Sequence, residues 1–80
     1  MAKQIIWSPL AKEALKTLLT TASDGHSLFQ LIENALHRVT LNPFIGQPTE
    51  AEYIRYVTPS PGCTLFYRHS LLKIEVLVLW

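Results

Sequence analysis

The chain predicts an α+β domain in the order β-α-α-β-β-β, a helical hairpin packed on one face of a mostly antiparallel sheet. Three observations predict it. Two stretches of the first half repeat apolar residues at three- and four-residue spacing, the helical period. The second half alternates as strands do, and Pro/Gly clusters punctuate it.

Gln4 to Trp7 is too short and apolar for anything but a strand. Ser8 then Pro9 starts a helix, because Ser accepts from orphan amides and the missing Pro N–H is not needed at the first helical position. Leu10, Ala11, Ala14, Leu15, Leu18, Leu19 and Ala22 form its apolar stripe, with Lys12, Glu13, Lys16, Thr17 and Thr20 opposite. Residues 23–27 are turn chemistry, with Asp24 or Ser27 ready to cap the next helix. That helix carries Leu28, Leu31, Ile32, Ala35, Leu36 and Val39, against a polar face of Gln30, Glu33, Asn34, His37 and Arg38. Asn42-Pro43 stops it, since the residue before proline is pushed out of helical geometry. So short a link makes the two helices an antiparallel hairpin.

Residues 43–48 read as an ordered loop, neither helix nor central strand. Tyr53 to Thr58 is a strand, Pro59-Ser60-Pro61-Gly62 a turn, and Cys63 to His69 the next strand. After Ser70-Leu71 the last strand runs Leu72 to Trp80, with Leu72, Ile74, Val76, Val78 and Trp80 on one face. Lys73 and Glu75 lie on the other face, which Leu77 and Leu79 make apolar at its far end.

Eighty residues make one domain, 1–80. So short a chain buries only about 60% of the surface its unfolded form exposes. Hydrophobic residues reach 49% and charged ones only 16%, which excludes disorder and leaves more apolar side chains than a small core hides. A protein partner is expected. Seven basic against six acidic residues, pI 7.9, give no general field for nucleic acid. One cysteine, Cys63, allows no internal disulfide; without a signal peptide, this points to the cytoplasm. The longest apolar run, Leu71 to Trp80, is short and carries Lys73 and Glu75, so no membrane role is expected.

The chain resembles the RelE/ParE superfamily of bacterial type II toxins along essentially its whole length. The resemblance rests on Ile5-Ile6-Trp7-Ser8-Pro9-x-Ala11-x-x-x-Leu15, Asn42-Pro43-x-x-Gly46-x-Pro48, Ile54-Arg55, Leu65-Phe66-Tyr67-Arg68 and Ile74-x-Val76-x-Val78. Five weak motifs in the right order make a strong signal. Two departures stand out. Ala14 occupies a position where an acidic residue is common, and the chain stops at Trp80 where relatives often continue with polar or basic residues, frequently including His, Arg or Tyr.

The resemblance implies a toxin neutralised by a cognate antitoxin, with no cofactor and no small-molecule substrate. Its ParE-like members bind DNA gyrase, and this is the expected target. The alternative is a ribosome-dependent mRNA endonuclease of RelE type. Such chemistry needs a base for the ribose 2′-OH and cations for the phosphorane. Candidates are Arg55 and Arg68, on adjacent strands and able to clamp a phosphate, with Glu50, Glu52 or His69 as base. Their plainer reading is solvent-facing strand residues, Arg68 paired with a carboxylate. The missing terminal Tyr or His and the balanced charge favour gyrase. A third reading is a non-toxic antitoxin-binding module. Leu18, Leu19, Phe29 and Trp80 are the expected partner-facing residues. His26 and His37 read as solvated, Cys63 as a buried inert thiol, and no metal-ligand spacing occurs.

Overall fold

A computed structural model describes residues 3–80. Strand β1 (Gln4–Trp7) is followed by α1 (Pro9–Thr21), α2 (Gly25–Leu41), a 3₁₀ turn (Pro43–Ile45), β2 (Gln47–Pro48), β3 (Ile54–Ser60), β4 (Cys63–His69) and β5 (Lys73–Leu79). The sheet order is β1-β5-β4-β3-β2, with β1 and β5 parallel and all other neighbours antiparallel. Both helices lie on one face, α1 over β5 and α2 over β3. The expected helical hairpin on one face of a mostly antiparallel sheet is observed, with one short edge strand, β2, added.

The helix signals act as the sequence implies. Ser8 Oγ accepts from the Ala11 amide at 3.0 Å and also donates to the Leu77 carbonyl of β5, tying the cap to the sheet. Asp24, rather than Ser27, caps α2, accepting from the Ser27 amide and hydroxyl at 3.1 and 2.8 Å. No helix is long and apolar enough to cross a membrane among the described residues.

The segment 43–48 is more structured than a loop. Asn42 Oδ1 accepts from the Phe44 amide and starts the 3₁₀ turn. Gln47 and Pro48 then pair with Tyr56 and Arg55 as an edge strand, a position where proline can sit. Two further boundaries differ. Tyr53 precedes β3 as a turn residue with φ 68°, and β3 continues through Pro59 to Ser60, leaving Pro61-Gly62 as the hairpin turn. Gly62, at φ 80°, supplies the left-handed residue this turn requires.

Two irregularities decide which side chains face the helices. Between Val57↔Leu65 and Ser60↔Cys63, β3 spends one residue more than β4, beside Pro59. Between Phe66↔Val78 and Tyr67↔Val76, β5 spends one more than β4, at Leu77. The expected single face of β5 is therefore wrong. Ile74 and Val76 point to the core, but beyond Leu77 the inward residue is Leu79, while Val78 and Trp80 turn to the open face.

The core holds Ala11, Ile32, Leu36, Val39, Cys63, Leu65, Tyr67, Ile74, Val76 and Leu79. Tyr67 is its largest wholly enclosed side chain. Its hydroxyl donates to the Pro43 carbonyl at 2.5 Å and accepts from the Gly46 amide at 3.2 Å. The core thus holds the 43–46 turn, and Gly46 is glycine because any Cβ would collide with that hydroxyl and approach the Tyr56 carbonyl to 2.9 Å.

Candidate functional site

Antiparallel register places the nominated arginines on opposite faces. Ile54 pairs with Arg68 and Arg55 with Tyr67, so Arg55 turns with Tyr67 toward the helix side and Arg68 points to the open face. They form no joint phosphate clamp, a correction to the expectation from sequence. The cause is the extra residue near Pro59. With the pairing set at the turn, Ser60↔Cys63, continued unbroken, the two would have been direct cross-strand neighbours.

On the open face, Arg68 donates through Nε and Nη2 to Glu75, at 3.3 and 2.9 Å, and Lys73 approaches the same carboxylate to 3.9 Å. The hydrogen bond from Arg68 holds the Glu75 carboxyl below its ordinary range. The two cations share this one carboxylate at one end of the face, Arg68 as its close partner and Lys73 at its margin. The rest is aromatic and aliphatic: the Phe66 ring lies 5.4 Å from Tyr56 and 5.6 Å from Trp80, with Val78 beside them. No helix covers this surface among the described residues. Replacing Arg68 with Ala removes a half-exposed ion pair. The expected result is a folded protein whose melting temperature moves by no more than a few degrees, checked by calorimetry.

Arg55 and His69 are brought together at the same end of the sheet but on its other face, the helix side. Arg55 donates to the Gly46 carbonyl at 2.8 Å and lies 5.1 Å over the Phe44 ring. His69 is buried among aromatic edges: Phe44 at 4.9 Å, Tyr53 at 5.9 Å and Tyr67 at 6.3 Å. Lys3 closes the corner, its ammonium held by the carbonyls of Ser70 and Leu71. Glu52 lines the hollow that Arg55 and His69 share, whereas Glu50 is exposed in the preceding turn and joins neither group. Phe44, Tyr53 and Lys3 were not singled out from sequence. The only available signal was two aromatics in segments rich in Pro, Thr and Glu.

Burial holds the His69 imidazole below its ordinary value of 6.5, and the charges of Arg55 and Lys3 act in the same direction. The folded protein therefore resists protonating it, while the unfolded chain takes the proton near the ordinary value. Stability present above pH 6.5 is lost as pH falls below that value. Thermal melts between about pH 7 and 5 should show this slope, and His69→Phe should flatten it.

The expected partner-facing residues do not share one surface. Trp80 stands on the open face, 67% exposed. Leu18 packs against the core, Leu19 is half-buried on the same helix, and Phe29 lines a groove of about 410 Å³ with Ile5, Trp7, Leu15 and Leu36. Cys63 is buried, and that burial pushes its thiol up. His26 and His37 are exposed. Among the described residues no three His, Cys, Asp or Glu side chains are grouped to hold a metal ion.

No family model and no curated protein matches the chain. Solved structures do. A chain of the E. coli DinJ-YafQ toxin-antitoxin complex superposes with TM-score 0.74 at 10% identity, over 99% of this chain and 91% of that one. The YoeB/ParE toxin from Agrobacterium tumefaciens gives 0.76 at 14%, over 95% and 94%. A chain of the chromosomal ParDE TA system from P. aeruginosa gives 0.67 at 15%, over 98% and 94%. The fold is the RelE/ParE-type fold of these proteins, end to end.

Proposed function

We propose that this chain is the toxin of a type II toxin–antitoxin pair, neutralised by a small protein from the adjacent reading frame, and that it arrests growth by docking on DNA gyrase. The observation that carries the choice of docking over chemistry is the open sheet face. It offers Tyr56, Phe66, Val78 and Trp80 to a partner, and its arginine, Arg68, is already paired with Glu75. The likeness to toxins in toxin–antitoxin systems supports the pairing.

The RNA-cleaving reading retains one observation in its favour: a neutral His69 beside Arg55 is the right pair for a base and an anion stabiliser. Against it, Arg55 is engaged by a backbone carbonyl and Arg68 lies on the other face. Induction in bacteria, with and without the adjacent gene, separates the two. Arrest of DNA synthesis with intact mRNA is the expected result, relieved by the adjacent product. Prompt codon-phased cleavage of translated messages would overturn it, and growth without any arrest would leave a non-toxic binding module.

A further inference from the structure

Tyr53 is the single non-glycine residue with positive φ among the described residues, at 68°. A bulky side chain in the left-handed region costs conformational energy that glycine would not pay. The backbone turn serves the fold, since the Tyr53 carbonyl accepts from the His69 amide at 3.0 Å. The side chain adds little, staying 60% exposed against the edge of His69. Phe44, 63% exposed, flanks the same imidazole. Two adjoining hollows of about 510 and 270 Å³ share Phe44, Tyr53 and His69. Lys3 stands at the first and Arg55 at the second. Both cations are held by neutral carbonyls, and neither forms an ion pair with a carboxylate among the described residues. Glu52 lines the smaller hollow only.

We infer that this corner is the docking site for an extended acidic segment of the antitoxin, one apolar side chain entering the larger hollow while flanking carboxylates meet Lys3 and Arg55. The inference rests on the toxin–antitoxin reading above. Charge complementarity selects the acidic neighbours, since two fixed cations face the site without a paired anion. The apolar wall of Pro43, Phe44 and Leu71, the last 86% exposed, selects the side chain between them. A peptide fits better than a nucleic acid because seven basic residues are balanced by six acidic ones, giving no field along a phosphate backbone. The strain at Tyr53 is then the cost of presenting a rigid aromatic to that segment.

The test titrates the whole chain with the protein encoded by the adjacent reading frame, by calorimetry at low and high salt. Tyr53→Gly should melt at the same or a higher temperature yet bind tenfold or more weakly, which a merely structural residue would not do. Leu71→Glu should weaken binding comparably, Lys12→Glu on the exposed side of α1 should not, and wild-type affinity should fall with salt. Unchanged affinity in Tyr53→Gly and Leu71→Glu would overturn the corner while leaving the pair intact. Absence of any binding by the wild type would remove the pair, and this occupant with it. A labelled single-stranded oligonucleotide, titrated in parallel, would overturn the peptide assignment if it bound and Tyr53→Gly abolished that binding.

Discussion

Tyr67→Ala is expected to leave the chain without a stable fold at growth temperature. The ring is wholly enclosed, and truncating a buried aromatic costs about 3–5 kcal/mol. Stability in domains is about 5–15 kcal/mol, and a chain of this length sits toward the low end. The loss also reaches beyond the cavity, because the hydroxyl holds the Gly46 amide and the Pro43 carbonyl. Tyr67→Phe isolates that part and should cost about 1–3 kcal/mol, the range for leaving buried polar groups unpaired. Gly46→Ala drives a methyl against the same hydroxyl and should cost about as much, through overpacking of about 1–3 kcal/mol. The two changes should not add. Removing the hydroxyl frees part of the space the methyl needs, though the Tyr56 carbonyl remains 2.9 Å away. Urea unfolding of the four proteins in the cycle measures this coupling, and strict additivity would show that the contact does not govern the site.

Trp80→Ala should separate binding from folding. The ring is 67% exposed and touches Phe66 on the open face, so the variant should fold with nearly wild-type stability. If this face meets gyrase, losing its most prominent aromatic should cost about 2 kcal/mol or more of affinity, on the order of 30-fold. Surface-bound toxin titrated with purified gyrase gives the number, and growth arrest on induction should weaken in step. Full affinity in a folded Trp80→Ala protein would move the docking surface elsewhere.

Local chemistry was legible in this sequence, and parity across the sheet was not. Ser8-Pro9 and Asn42-Pro43 mark helix ends because capping and proline geometry act within a turn or two of chain. The Gly46 position of the loop motif was legible as a pattern, but its reason lies 21 residues away, in the Tyr67 hydroxyl. Alternation likewise predicts two faces for β5 but cannot say where a bulge exchanges them. The exchange falls at Leu77, whose carbonyl accepts from the distant Ser8 hydroxyl and which separates the buried Val76 from the buried Leu79. The same limit misplaced the arginine pair: one extra residue beside Pro59 sends Arg55 to His69 and Arg68 to Glu75. The His69 corner was half legible, since Arg55 and His69 were nominated for their chemistry. Lys3 enters it from the far end of the chain, through a parallel pairing no local pattern encodes.

That parallel pairing also sets an order of events during synthesis. β5 is the last strand to be made, yet it lies inside the sheet, between β1 and β4. The helices can form as they emerge, but β1 must wait for a partner some 70 residues downstream, and contacts of such long range are slow to close. The open face depends on β5 for Val78 and Trp80, and the Lys3 corner depends on the β4–β5 link for its carbonyls. A ribosome that stalls before residue 73 therefore releases neither surface.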